Sequence, residues 1–330
     1  MLQETTKEAL KQSKNLLAFS AGGDSTALLF LLLQNNIAFD IAIVDYGLRL
    51  QSKEEVAYAR ELAHTYNFKC HLLEAPSIQS NFEAEARAIR YGFFETLIQK
   101  HSYNALLTAH HLGDRFEWML MQFCKGAGCV ELAGMQPREQ RDSYTLYRPL
   151  LHLDKEELLS YLHKHNYKYF EDSSNNDEKY KRNRFRKQHA QPLLKEYKKG
   201  IQKSFSYIDE DCEMIIQKEA VQKFKGLVYF SNPHSKRSAI YIIDRYFKSQ
   251  GQIITAHERA LLKEKESVVI ARKWIVSFMP KYIFIAPFMR VTKIDKKLKE
   301  KMRLLKIEPK LRPYLATDLD LVAFVSSLLA

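Results

Sequence analysis

The sequence predicts an α/β protein: a doubly wound parallel sheet, then a helical linker, then a smaller α+β domain. Three observations predict it. Short apolar runs alternate with amphipathic stretches of helical length through the first half of the chain. The polar segments fall directly after those apolar runs, where an open parallel sheet places its ligands. From about Lys223 the pattern changes to short β-rich runs.

The first apolar run, Leu16–Phe19, reads as a buried strand, and the apolar run after it reads as a helix over Ser25–Gln34. Between them lies Ser20-Ala21-Gly22-Gly23-Asp24-Ser25. A loop of small residues at a helix start gathers backbone N–H donors and the positive helix end, so it suits phosphate; a plain strand–turn–helix connection is the alternative. It lacks a Gly-Lys-Ser/Thr ending and is not a Walker A loop. Strands follow at Phe39–Val44, Lys69–Leu73 and Ala105–Thr108, with helices at Ser52–Asn67, Asn81–His101 and Asp114–Cys124. The loops Ser20–Ser25, Asp45–Arg49 and His110–Glu117 then sit at equivalent ends of one sheet and can share one cleft. Asp154 reads as an N-cap, with Glu156 and Glu157 in the first turn of a helix reaching about His165. The stretch Asp172–Arg186 is very polar and reads as a loop entering a helix. Three parts are expected: a domain over 1–194, a helical linker over 195–222 and a second domain over 223–330, whose strands include Leu227–Phe230, Ser267–Ala271 and Tyr282–Ile285.

A net charge of +12 over 330 residues points to a polyanionic partner, most often nucleic acid. The four cysteines (Cys70, Cys124, Cys129, Cys212) form no Cys-x-x-Cys pair, which argues against zinc or iron–sulfur chemistry and for a reduced, cytosolic chain. The longest apolar run, Ala27–Leu33, is too short to span a bilayer, and Met1-Leu2-Gln3-Glu4 does not look like a secretory signal. A cytoplasmic protein with no membrane partner is expected; a homodimer is left open.

In Leu107-Thr108-Ala109-His110-His111-Leu112-Gly113-Asp114-Arg115-Phe116-Glu117, a strand ends on two histidines and a helix opens on a carboxylate. Asp114 and Glu117 share a helical face, and beside a phosphate loop they can hold Mg²⁺ or a cationic substrate group. The neighbouring imidazoles can contact phosphate or assist proton transfer. The plainer reading is a capping box with Asp114 as N-cap and Glu117 at N3, and both can hold at once. The run Lys179–Lys187 mixes six basic residues with Tyr180 and Phe185, which suits phosphate contact and base stacking; a solvated basic helix is the plainer alternative. A second basic run, Lys293–Lys306, suits nucleic-acid phosphates or a solvated helix face. His152, His163, His165 and His189 show no ligand spacing.

Ser20, Gly22, Gly23, Asp24 and Ser25 resemble the PP-loop of the N-type ATP pyrophosphatases, written Ser-Gly-Gly-x-Asp-Ser, an adenine nucleotide α-hydrolase-like fold. Thr108-Ala109-His110-His111, Asp114 and Glu117, then Lys125-Gly126-Ala127-Gly128, resemble the second signature of the tRNA(Ile)-lysidine synthetases. Gly47-Leu48-Arg49, Ala86–Tyr91, Gly134-Met135, Arg148–Leu151, Asp172–Asp177 with Tyr180, and Arg182-Asn183-Arg184-Phe185-Arg186 fit the same family in order, over about residues 15–194.

That resemblance implies an ATP-dependent carbon–nitrogen ligase acting on the wobble cytidine of isoleucine tRNA with a CAU anticodon. The cytosine 2-oxygen attacks the α-phosphate of ATP, pyrophosphate leaves, and the ε-amine of L-lysine displaces AMP to give lysidine, switching the tRNA from methionine to isoleucine identity. It implies ATP as substrate with Mg²⁺. It implies an ATP and pyrophosphate cradle at Ser20, Ala21, Gly22, Gly23, Asp24 and Ser25, and catalytic roles for Asp24, Ser25, His110, Asp114 and Glu117. Lysine would bind at Asp114 and Glu117, Mg²⁺ at Asp24 and Asp114, and tRNA at Arg87, Arg90, Lys181, Arg182, Arg184 and Arg186. The alternatives are another PP-loop tRNA-modifying ATP pyrophosphatase, against which the missing Cys-x-x-Cys weighs where sulfur is transferred, and a non-catalytic tRNA-binding relative.

The sequence departs from the family pattern in five places. Ala21 replaces a loop glycine, and Asp45-Tyr46 stands where Asn-His is usual. Gly113 replaces the first Asp of an Asp-Asp pair, and Arg115 and Trp118 replace Gln and Thr. Ala21 costs little at negative φ and is strained at positive φ.

Overall fold

Leu16 and Leu17, adjacent in strand β1 (Asn15–Ala18), are both fully buried, yet they enter different hydrophobic cores. Successive strand residues point to opposite faces, so a strand buried on both sides must be central and covered by helices on both faces. The computed structural model describes residues 1–47, 51–78, 82–171, 181–215, 220–290 and 294–329, with the side chains of Lys181, Arg182 and Ile215 outside that description.

After helix α1 (Glu4–Lys11) and β1 come α2 (Gly23–Gln34), β2 (Phe39–Asp45), α3 (Gln51–Tyr66), β3 (Cys70–Glu74), α4 (Phe82–His101), β4 (Ala105–Leu107), α5 (Leu112–Phe123), α6 (Cys129–Ala133), β5 (Arg138–Gln140), β6 (Thr145–Tyr147) and α7 (Lys155–Lys164). The six strands lie in the order β3-β2-β1-β4-β6-β5. β3, β2, β1, β4 and β6 run parallel, and β5 pairs antiparallel with β6. The order reverses between β1 and β4, and at such a switch point an open sheet has its ligand crevice. α2 is apolar on nearly every side because it is buried from Ser25 to Leu32 against the sheet and α7. Phe94, Leu97 and Ile98 of α4 cover the opposite face, on Leu16, Leu106 and Leu146.

The predicted strands and helices of this half are present, with ends shifted by at most two residues. Asp154 caps α7 reciprocally with Glu157: its side chain accepts from the Glu157 N–H at 2.8 Å, and the Glu157 carboxylate accepts from the Asp154 N–H at 2.9 Å. The chain then enters α8 (Lys181–Phe185), a π-helical turn at Arg186–Ala190 and α9 (Gln191–Ile215). The Asp172–Asp177 segment, Lys179 and Tyr180 lie outside the described residues, as do Leu48 and Arg49.

The chain divides into two compact units, Met1–Asp209 and Glu210–Ala330. α9 runs across that division. Its first part, within the expected linker, belongs to the first unit, where Phe205 is buried with Leu112 and Phe116 of α5. The second unit is built on an antiparallel sheet in the order β7-β8-β11-β10-β9, from β7 (Gln222–Phe224), β8 (Leu227–Ser231), β9 (Ser267–Ile270), β10 (Trp274–Phe278) and β11 (Tyr282–Pro287). Helices α10 (Lys236–Ser249) and α11 (Ala256–Glu264) bury one face. Helices α12 (Lys296–Leu304), α13 (Arg312–Leu315) and α14 (Leu319–Leu329) bury the other. Among the described residues no helix is long and apolar enough to cross a membrane.

Candidate active site

The loop after β1 turns into α2 through residues small enough to expose their backbone. Ser25 is buried at the first turn and ties the loop together: its hydroxyl donates to the Gly22 carbonyl (3.1 Å), accepts from the Ser20 N–H (3.2 Å) and lies 3.1 Å from Ser20 Oγ. Ala21 has φ +57°, the left-handed region in which a Cβ costs roughly 1–2 kcal/mol. The departure from glycine is therefore strained. It is held in place by burial, and by the Phe170 N–H donating to the Ala21 carbonyl at 2.9 Å. The N-cap, Gly22, supplies no side-chain cap, so the first N–H groups of α2 face the crevice with the positive end of the helix dipole.

The loop after β4 brings a second set of groups to the same end of the sheet. The N-cap of α5 is His111, and its capping box is closed by Asp114 at N3. The expectation of Asp114 as N-cap with Glu117 at N3 is thus corrected by three residues. His111 can serve as the cap because Gly113 leaves room: a Cβ on Gly113 would lie 2.8 Å from His111 Cε1. The Gly113 N–H donates to His111 Nδ1 at 3.0 Å. That bond makes Nδ1 the acceptor, so a neutral His111 carries its proton on Nε2. Nε2 in turn faces two carboxylates, Asp114 Oδ2 at 3.5 Å and Asp24 Oδ2 at 3.9 Å. His111 joins the phosphate loop to the second signature.

Burial alone would push the Asp114 carboxyl up. Electrostatic attraction to His111, His110 and the Arg186 guanidinium, with the His111 backbone N–H, outweighs it and holds the group down at about 2. Glu117 is 1 % exposed and meets the Arg186 guanidinium, with Nε 2.6 Å from its Oε2. Nη2 of the same guanidinium lies 3.4 Å from Asp114 Oδ1. Arg186 reaches the pair from the π-helical turn, where the Gln191 N–H bonds the Arg186 carbonyl five residues back. A π-turn inserts one extra residue into the helix and re-aims its side chains.

Asp24 Oδ1 is buried without a hydrogen-bond partner, an orphaned carboxylate oxygen that suits a hard cation. Among the described residues no group of three or more His, Cys, Asp or Glu side chains is arranged to hold a metal by itself. Mg²⁺ held through one or two carboxylates with phosphate oxygens completing its shell fits this arrangement.

The structure therefore gathers Ser20, Ala21, Gly22, Gly23, Asp24, Ser25, Asp114 and Glu117. His110 lies beside them but turns its Nδ1 to Thr108 Oγ1 (3.0 Å). Arg186, which the sequence reading groups with RNA-facing cations, points inward to the carboxylates instead. Arg184 is exposed, as are Arg87, stacked 4.8 Å over the Tyr91 ring, and Arg90; the calls on Lys181 and Arg182 rest on side chains outside the described set. Sequence reasoning missed His111 as the residue linking both loops, because the space that Gly113 leaves for its ring shows only in three dimensions. It also missed Arg115, read there only as a departure. Arg115 is 4 % exposed, donates twice to the Ala133 carbonyl at 3.0 Å and pairs with Asp209 through both carboxylate oxygens.

Comparison with known proteins bears on this geometry. Residues 1–193 match the family described as the PP-loop domain. The chain is 45% identical to the tRNA(Ile)-lysidine synthase of Wolinella succinogenes, over 95% of this chain and 96% of that protein. It is 42% identical to the tRNA(Ile)-lysidine synthase of Helicobacter pylori, over 96% and 93% respectively. Among solved structures, a U34-tRNA thiolase from Methanococcus maripaludis shares the fold with a TM-score of 0.52 at 16% identity, over 64% of this chain and 76% of that one.

Proposed function

The chain belongs to the tRNA(Ile)-lysidine synthase family of PP-loop enzymes, ATP-dependent ligases, and on that premise we propose how its own residues carry out the reaction. The observation that carries the reading is the junction at His111, whose Nε2 stands between Asp24 of the phosphate loop and Asp114 of α5. ATP lies with its β- and γ-phosphates over the loop Ser20–Ser25, at the N-terminus of α2. Asp24, with its orphaned oxygen, holds Mg²⁺, which supplies neutralisation of phosphate charge when bound. The wobble cytidine of isoleucine tRNA with a CAU anticodon enters between the two loops, and its 2-oxygen attacks the α-phosphate. The Nε2–H of His111 donates to an oxygen in which charge develops, because its other nitrogen is already an acceptor for a backbone N–H.

Lysine's ε-ammonium is drawn to Asp114 and Glu117, which the Arg186 guanidinium aligns. After the ammonium gives up a proton to water, the neutral amine attacks carbon 2 of the adenylated cytidine, the C2–O bond breaks, AMP leaves and the new C2–N group loses its second proton to solvent. Exposed Arg87, Arg90 and Arg184, with the basic run that includes Lys181 and Arg182, contact tRNA phosphates. The second unit carries a further basic helix, α12, with exposed Lys296, Lys297, Lys299 and Arg303, for the tRNA body. The enzyme works in the cytoplasm, where its tRNA, ATP and lysine are found.

The test is turnover. Purified protein with ATP, Mg²⁺, L-lysine and CAU-anticodon isoleucine tRNA yields, after digestion, a cytidine heavier by lysine less one water, with AMP and pyrophosphate released. Asp24→Ala abolishes both products. Pyrophosphate release without the heavier nucleoside would move the chain to another acceptor; full activity in Asp24→Ala would overturn the phosphate-loop assignment.

A further inference from the structure

Trp118 follows Glu117 directly and lies one turn after Asp114 on the same stripe of α5, yet it is 48% exposed. Neighbours on one helix thus divide sharply: Glu117 is turned into the site at 1% exposure, and the indole stands at its rim. One edge of the ring abuts Gly134. Gly134 follows α6 with φ +61°, and a Cβ there would lie 2.7 Å from Trp118 Cδ1 and 3.3 Å from Nε1. Glycine lets the α6 turn pack against the indole edge without covering the ring.

From this we propose that Trp118 is a stacking platform for a base of the anticodon loop flanking the wobble cytidine. The inference rests on the functional reading above. A base can reach Asp114 and Glu117 only if its loop neighbours lie at the rim, and there the chain presents an exposed indole. The surrounding charge fits RNA. Arg184 is exposed on the short helix that leads to Arg186, Lys125 is exposed in the turn that follows α5, and the chain carries +12 overall. An apolar protein partner would need a wider patch, but the next exposed aromatic on α5, Phe123, lies five residues on and about 140° round the helix. Stacking on an aromatic ring tolerates any base, so Trp118 would contribute affinity and placement more than sequence choice.

The experiment uses the full chain and an unmodified RNA hairpin, the isoleucine anticodon stem-loop carrying CAU. The Trp118 emission, taken as the difference between wild type and Trp118→Phe, is quenched on hairpin binding. Trp118→Leu, which keeps apolar bulk but removes the ring, weakens hairpin binding about tenfold, and Trp118→Phe by less than about threefold. Equal unfolding midpoints for the two variants separate a lost platform from a loosened helix; where they differ, the quench in wild type decides. Hairpin binding with unchanged Trp118 emission, or Trp118→Leu binding as tightly as wild type, overturns the platform while lysidine formation by the same protein leaves the functional reading standing. A wild type that neither binds the hairpin nor forms lysidine overturns both.

Discussion

The Arg186 guanidinium lies 2.6 Å from Glu117 Oε2, although the two residues are 69 positions apart and Glu117 is among the most deeply buried charges of the chain. A carboxylate at that depth stays ionised only beside a cation. The π-turn at Arg186–Ala190 is what brings this one there. The acidic pair proposed for lysine thus already holds an internal cation, and substrate ammonium must share or displace it.

Glu117→Gln therefore has two effects. It removes half of the charge offered to lysine, so the KM for lysine rises at least about tenfold, equivalent to about 1.4 kcal/mol, while ATP-dependent pyrophosphate release with tRNA persists. It also leaves Arg186 poorly paired, and breaking a buried pair costs about 3–5 kcal/mol at full burial, less here because Arg186 is 24% exposed. Steady-state kinetics in lysine and a urea titration read the two effects separately.

Acid unfolding reports on Asp114. Its carboxyl is held at about 2 against an ordinary 3.8, so the folded chain binds fewer protons than the unfolded one between those values. The stabilisation is fully present above about pH 4 and is lost as pH falls through 2; nearly two pH units correspond to about 2 kcal/mol. Asp114→Asn flattens this part of the stability curve by about one proton, measured as the pH dependence of the urea midpoint. An unchanged slope would mean that the charges around Asp114 do not hold it ionised.

The parallel sheet was legible because its strands are continuous apolar runs and its helices are periodic; Leu16–Phe19 and Ser25–Gln34 needed nothing beyond pattern. The phosphate loop and the Asp114 and Glu117 pair were legible from spacing. Three things were not. His111 as the N-cap depends on whether Gly113 leaves space, a three-dimensional fact. The inward turn of Arg186 depends on a π-turn, which has no sequence signature. The pairing of Arg115 with Asp209 spans 94 residues, and nothing local marks either partner.

Gly113→Ala tests the first of these. The added methyl would sit 2.8 Å from His111 Cε1, so the ring must move and lose both its bond from the Gly113 N–H and its place between Asp24 and Asp114. A loss of about 1–3 kcal/mol in stability is expected, with slower adenylation. In a His111→Ala background the same change is nearly neutral, because the clash has gone. Additive effects of the two substitutions would refute the steric account.

Arg115 closes the network that joins α5 to α9. Its guanidinium rests 4.2 Å over the Phe205 ring, donates to the Ala133 carbonyl and meets both oxygens of Asp209, using the flat fork of donors that lysine lacks. Arg115→Lys should therefore rescue little. It keeps the charge but cannot serve the carbonyl and both carboxylate oxygens together, and we expect it to lose about 2–4 kcal/mol, close to Arg115→Met. Asp209→Asn alone costs less, since its side chain is 27% exposed and water can reach it. A double-mutant cycle between the two positions should give a coupling of about 1–3 kcal/mol in urea unfolding.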